Sequence, residues 1–464
     1  MAGTLAGDPL SGDGELPLDG ATAHRRDEQP WPSPRRAWTA VSIIAFSLVF
    51  LQVDKGVVGF LIEPMKRDFQ ASDAEMSLLL GVAPVIFYAL VGLPMARLVD
   101  RYPRNIVLSI GIFFLGFFTM LCGVAQGFRQ LFFCRMFTGT AETVHGPGSY
   151  SMVADYFPPE KLPRAIGVIQ VGFTIGQAGA QIIGGALVSL ALTWPAMAIP
   201  LLGGTIRPWQ YVFIIAGIPG LLIALLVRAI PEPPRRGLVA KGDKALPFSQ
   251  MIAEIRQRKG IYLPMFIALA LTSLETYGIL PWRAAFLQRA YGWDPARIGA
   301  WSGVTTLICS GFGILYGTWL TERLYKKYDD APLRALLINY ASGFLFVVGA
   351  PLMPTAELSI ISAGIGTMFG IAGAIPQNAA LQTITPNAMR GQVTAIFLFM
   401  FTVIGGLGAS VLTAISAAMG GEQHLGGAMS VMAAVMIPTA FVVLAFALRP
   451  YREEIRARKA AGVF

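Results

Sequence analysis

Seven charged or titratable residues fall inside stretches that are otherwise apolar. Asp54 and Lys55 lie in 38–62, Arg135, Glu142 and His145 in 130–155, and Glu275 and Arg283 in 260–288. A charge at the centre of a bilayer costs about 2.5–3.5 kcal/mol on insertion scales, so such residues face a partner, a wet cavity or both. Arg135 and Glu142 are seven residues apart, which puts them on one face of a continuous helix, with His145 three residues further on. An arginine there stays charged and offers a planar fork suited to phosphate or carboxylate. An acid nearby can hold an amine or exchange a proton. The pattern predicts a site for a charged head group with proton coupling; a purely structural ion pair would use the same residues without a ligand. Glu142-x-x-His145 is half of a helical di-metal motif, but no second Glu-x-x-His faces it, so no metal is expected.

The elements carrying these residues must be membrane helices. Of 464 residues, 54% are hydrophobic and 14% charged, and mean hydropathy is +0.59. A soluble domain needs nearly twice that charge fraction to wet its surface. Twelve apolar runs approach the ~20 residues that cross a bilayer as a helix: 38–62, 75–97, 105–126, 130–155, 164–192, 209–230, 260–288, 298–320, 333–353, 356–381, 391–418 and 427–448. They lack the dyad alternation of a membrane barrel, which leaves helices as the spanning structure. The predicted fold class is therefore all-α, with twelve transmembrane helices in two pseudo-symmetric six-helix bundles.

The net charge of +9 orients this arrangement and is not a nucleic-acid footprint. With both termini on one side, that side collects 27 of the 36 lysines and arginines, the other side six, and the helices three. This positive-inside asymmetry predicts cytoplasmic termini in a bacterial inner membrane. Residues 1–36 have no signal-peptide core and read as a disordered cytoplasmic tail. A six-helix bundle over 37–230 is followed by a polar linker, 231–259, with an amphipathic segment from Phe248 to Ile255. A second bundle over 260–449 and a cytoplasmic tail at 450–464 complete the chain. Cys122, Cys134 and Cys309 all fall in predicted helices, where small apolar packing is the expected role.

The halves echo one another. Ile175-Gly176-Gln177-Ala178-Gly179-Ala180 matches Ile404-Gly405-Gly406-Leu407-Gly408-Ala409, Asp100-Arg101 matches Glu322-Arg323, and Pro159 with Arg164 matches Pro386 with Arg390. Three ordered matches at about half the chain length indicate a duplication. The glycines of predicted helices 5 and 11 allow close backbone approach. Gly278 and Pro281 are expected to break or bend helix 7 beside Glu275 and Arg283, making it a gate.

Ala96-Arg97-Leu98-Val99-Asp100-Arg101-Tyr102-Pro103-Arg104 resembles the loop signature of the major facilitator superfamily, with Ala96 and Pro103 in place of its two glycines. The resemblance implies a cytoplasmic gate in which Asp100 meets the positive end of helix 11, while Arg101 and Arg104 meet Asp155. In the second half Thr318 replaces a glycine and only Glu322-Arg323 remains, so the second latch is expected to be weaker. The family's antiporter signature has a proline where Gln177 stands, so antiport does not follow.

Asp54-Lys55, Asp100 to Arg104, and the stretches Arg135 to Glu142 and Ala154 to Pro158 together resemble Spinster-type transporters, most strongly over 38–185. That family usually has Asp-Arg where Asp54-Lys55 stands. The resemblance implies movement of a lysophospholipid- or sphingosine-phosphate-like amphiphile with Asp54, Arg135 and Glu142 as the polar centre. The rival within transport is the anion–cation symporter family, whose fourth helix also has an arginine followed seven residues later by a glutamate, and whose substrates are small organic acids. A ligand sensor that does not transport is the rival from another class. No nucleotide loop, nucleophile elbow or metal cluster suggests an enzyme. No cofactor is expected beyond the proton as coupling ion. The expected partners are a small amphiphilic or anionic substrate and the lipid bilayer, with no nucleic acid, and the protein is expected to act as a monomer.

Overall fold

The computed structural model describes residues 30–158, 160–199, 204–235, 248–386 and 389–461. Among the described residues, eleven helices are long and apolar enough to cross a membrane: Pro34–Phe60, Asp73–Gly92, Arg104–Cys122, Leu162–Ala191, Pro208–Ala229, Lys259–Tyr291, Pro295–Tyr325, Ala331–Leu352, Ala356–Ile384, Arg390–Ala418 and Glu422–Ala460. A twelfth crosses as two segments, Phe128–Thr138 and Thr140–Tyr156, interrupted at Gly139. It falls short of the others because of the break and because it carries the polar residues of the site. We number the spans 1–12 in chain order, with the broken one as span 4.

Spans 1–6 pack among themselves, chiefly 1 with 5 and 3 with 6; spans 7–12 pack 8 and 9 with 10 and 7 with 12. The face that carries the start of span 1 at Pro34 and the helix Leu448–Ala460 is called the terminal face; the other is the distal face. Between the bundles, span 5 packs on span 8, and span 2 on span 11. These contacts use glycines. A β-carbon at Gly185 would lie 2.2 Å from the Pro295 carbonyl oxygen, and one at Gly299 2.2 Å from that of Gln181. At the related seam, a β-carbon at Gly81 would lie 2.1 Å from the Gly406 carbonyl oxygen. Without hydrophobic force between helices in lipid, such close backbone approach supplies the attraction. Gly172 and Gly176 serve the same purpose inside the first bundle, against Ala45 and Val49 of span 1.

The irregular backbone lies at these seams. Span 2 contains a π-helical turn, Leu78–Val82, at the Gly81 contact. Span 11 divides into Arg390–Gly406 and Gly408–Ala418, where Gly408 presses on Leu274 and Gly278 of span 7. Span 7 itself runs unbroken from Lys259 to Tyr291 with Pro264 and Pro281 inside it. The expected break is absent because one missing hydrogen bond in a long, well-packed helix is tolerated when neighbours hold the backbone.

The expected tail at 1–36 lies outside the described residues up to 29, and span 1 already begins at Pro34. Of the linker, 236–247 lie outside the described residues, and Phe248–Gln257 forms a helix. The chain end, read as a tail from 450, is helical over Leu448–Ala460 and docked by buried Tyr451 and Ile455.

Candidate functional site

Span 1 presents Asp54, 3% exposed, to spans 3 and 4. One carboxylate oxygen accepts from the Thr119 hydroxyl at 2.6 Å, and the other from the Arg135 guanidinium at 3.2 Å. Arg135 is 4% exposed. A buried pair of this kind survives only with added hydrogen bonds, and Thr119 supplies one. Thr119 escaped the sequence reading because a threonine in an apolar run carries no signal of its own. Gly139 lets span 4 approach span 2: a β-carbon there would lie 2.5 Å from the Pro84 carbonyl oxygen. Two residues after Arg135 in the chain, Phe137 stacks on Phe118 at 4.7 Å and meets Phe87 at 5.2 Å. Phe118 continues to Phe114 and Phe117, which are exposed on the outside of span 3. A run of aromatic rings thus joins the exposed side of span 3 to the first segment of span 4, which also carries Arg135.

The other predicted residues are distributed differently. Lys55 is half-buried beside Asp54, and the side chain of Glu142 lies outside the described part of the structure. His145 is 1% exposed and bonded between Ser47 Oγ at 2.7 Å and Ser149 Oγ at 3.1 Å. Ser47 already donates to the Ile44 carbonyl, so His145 Nε2–H donates to Ser47, while Nδ1 accepts from Ser149. That satisfied imidazole braces span 4 against span 1. Glu275 is 8% exposed and accepts from the Thr276 hydroxyl at 3.0 Å, with Arg283 within electrostatic reach two turns along span 7.

On the terminal face, Arg104 forms a buried ion pair with Asp155 at 2.6 Å, bonds Ser151 at 2.8 Å and pairs with Glu232 at 2.7 Å. The Asp155 partner is the expected one; Glu232 reaches it because the linker folds back beneath span 3. Arg104, Ser151 and Asp155 belong to the first half and Glu232 to the start of the linker, and Arg104 is 2% exposed, so this cluster braces the first half. Arg101 is exposed, and the Asp100 side chain lies outside the described part. Glu322 and Arg323 are exposed as well, and Arg323 lies 5.3 Å over the Trp319 ring. On the terminal face of the second half, a buried acid is instead found at Asp330, held by Arg334 and by Arg452 of the last helix, both at 2.7 Å.

A charged cluster unsuspected from the sequence closes the distal face. Arg289, at the end of span 7, grips Asp73 with two bonds, at 2.7 and 2.8 Å, and Glu63 at 2.7 Å. Lys66 joins Asp73 to Glu422, the first residue of span 12. Glu63, Lys66 and Asp73 come from the first half, Arg289 and Glu422 from the second. Below them Ser77 donates to the Ala409 carbonyl at 2.9 Å, and Gln181 to Thr306 at 2.9 Å. Charges in short connections look solvated in a sequence; only docking of the halves brings these together.

The Major Facilitator Superfamily profile matches residues 44–410. The chain belongs to that superfamily. It is therefore a membrane-spanning secondary transporter and not an enzyme. Among similar Major Facilitator Superfamily proteins, an MFS-type efflux pump of Mycolicibacterium smegmatis is 26% identical over 438 residues, covering 91% of this chain and 95% of that one. A 4-hydroxybenzoate transporter of Acinetobacter baylyi is 26% identical over 231 residues, covering 49% and 46%. The crystal structure of a bacterial homologue to the human lysosomal transporter Spinster, inward-facing and unoccupied, superposes with a TM-score of 0.71 at 24% identity, covering 92% of this chain and 98% of that one. The Spinster-like fold expected from the first-half motifs is thus present.

Proposed function

We propose that this transporter moves an anionic amphiphile of the lysophospholipid or sphingosine-phosphate class by alternating access, coupled to protons, across a bacterial inner membrane with its termini in the cytoplasm. The observation that carries this reading is the buried Arg135–Asp54 pair, on a helix segment that also bears Phe137 of a phenylalanine run. An anionic head group competes with Asp54 for the Arg135 fork, while the rings receive the apolar tail. Asp54, deprived of its cation, takes up a proton and gives it back when the head group leaves. Glu142 is the second candidate proton carrier, and Lys55 adds positive charge to the entrance. Glu275 and Arg283 extend the polar path into the second half. In the conformation described, the cluster around Arg289 and Asp73 seals the outer side.

A second reading, transport of small organic anions, draws on the likeness to the 4-hydroxybenzoate transporter and on the same Arg135 chemistry. A thermal-shift screen of purified protein separates the two. Lysophospholipids are expected to stabilise the wild type and not Arg135→Ala. Stabilisation by small aromatic acids alone would favour the second reading, and equal stabilisation of Arg135→Ala would remove both.

A further inference from the structure

One face at the terminal end of span 8 has no role in the transport site described above. Phe312, Leu315, Trp319, Arg323 and Lys326 follow one another at three- and four-residue steps, so they form a single stripe along the helix, with Glu322 beside Arg323 at its edge. Phe312 is 61%, Leu315 70% and Trp319 51% exposed. The stripe therefore passes from apolar through aromatic to cationic. From Phe312 to Lys326 the helix rises about 21 Å, close to half of a ~40–45 Å bilayer with its head-group layers. At the polar end, Trp319, Glu322, Arg323, Lys326 and Lys327 line an open cleft of about 350 Å³.

The cations of this cleft differ from their neighbours on the same face. Arg334 and Arg452 both form ion pairs with Asp330, Arg456 and Lys459 with Asp329, and Arg258 and Arg458 with Glu454. Arg323, Lys326 and Lys327 share the cleft with one acid, Glu322, which leaves a surplus of two positive charges. The helix C-terminus offsets only about half a charge of that surplus.

We propose that this cleft holds the phosphate head group of an anionic phospholipid from the surrounding bilayer. The acyl chains lie along Leu315 and Phe312, the glycerol region sits against Trp319, and the phosphate meets Arg323, Lys326 and Lys327. A soluble acidic peptide or nucleic acid would use the cations and leave the apolar part of the stripe unused. The site lies on the outside of the second half and is independent of the substrate reading.

The test reconstitutes the full-length protein in nanodiscs of phosphatidylcholine containing phosphatidylglycerol and measures retained lipid by native mass spectrometry. The wild type is expected to enrich phosphatidylglycerol several-fold over phosphatidylcholine. Arg323→Gln/Lys326→Gln/Lys327→Gln should lose that enrichment, with unchanged thermal unfolding in phosphatidylcholine alone. Arg449→Gln, an exposed cation of the same face paired with Glu453, should keep it. Equal enrichment by the triple variant and the wild type would overturn the proposal. So would displacement of the lipid by inorganic phosphate at matched concentration, which would make the site one for free anions.

Discussion

Arg135 carries its charge inside a membrane-spanning helix, and Asp54 and Thr119 are what make that tolerable. Removing one partner of a buried pair leaves an uncompensated charge and costs roughly 3–5 kcal/mol, whereas removing both costs less. Arg135→Gln and Asp54→Asn should therefore each lower unfolding stability by that order. The double variant should lose less than the sum; additive losses in thermal or denaturant unfolding would show that the pair is not coupled. In proteoliposomes, Asp54→Asn should flatten the pH dependence of flux, and an unchanged profile would move proton coupling to another acid. The acids and the arginine of this site were legible in the sequence because charges inside apolar runs are costly and stand out. Thr119 was not, because a threonine in hydrocarbon is cheap and common. His145 was legible as an unusual residue, but its role as a brace depends on Ser47, a contact made only when spans 1 and 4 pack.

At the scale of elements, the glycine seams govern how closely the halves meet. Gly81→Ala places a methyl group against the Gly406 carbonyl and should push spans 2 and 11 apart on the distal side. Spin labels across that face should report longer distances. Gly167→Ala, whose β-carbon meets nothing within 4 Å, should leave them unchanged. The last helix, Leu448–Ala460, is a second such element, docked through Asp329 and Asp330. The Lys459 and Arg456 side chains hold the Asp329 carboxyl below its ordinary range. At Asp330 burial acts upward, but the bonds from Arg334 and Arg452 outweigh it, and its carboxyl is lowered as well. A lowered carboxyl contributes stability that is complete above its unfolded value, about 3.9, and is lost as pH falls through the lower folded value. Protection of 448–460 in hydrogen exchange, corrected for intrinsic rate, should thus hold from neutral pH to about pH 5 and fail only in stronger acid. Loss of protection near neutral pH would rule out these carboxylates as the anchor.

For the whole molecule, the decisive contact is the distal cluster. Arg289→Gln removes the bonds from span 7 to both Glu63 and Asp73, leaving Lys66–Glu422 as the charged tie between the halves in this cluster. A change of about 1–2 kcal/mol in the balance of two conformations alters their ratio roughly 5- to 30-fold. A cysteine placed at Thr306, in a background without Cys122, Cys134 and Cys309, should become correspondingly more reactive to an impermeant reagent from the distal side. Unaltered reactivity would mean that packing at the glycine seams, and not charge, holds that face shut.

The sequence by itself determined the membrane class, the twelve-helix plan and the duplication, because hydrocarbon thickness and the cost of buried charge act on local stretches of chain. It also exposed Asp54, Arg135 and the Arg104–Asp155 pairing through motif and placement. Tertiary structure alone decided the partners that come from distant elements: Thr119 at the buried pair, Glu232 under Arg104, Asp330 beneath the last helix, and the five charges of the distal face. It also decided which helix is interrupted. Proline chemistry pointed to span 7, but packing keeps that helix whole, while the interruptions fall in spans 4 and 11, beside glycines in close contact with neighbouring helices. Local composition cannot encode such contacts, since each depends on how two six-helix bundles meet.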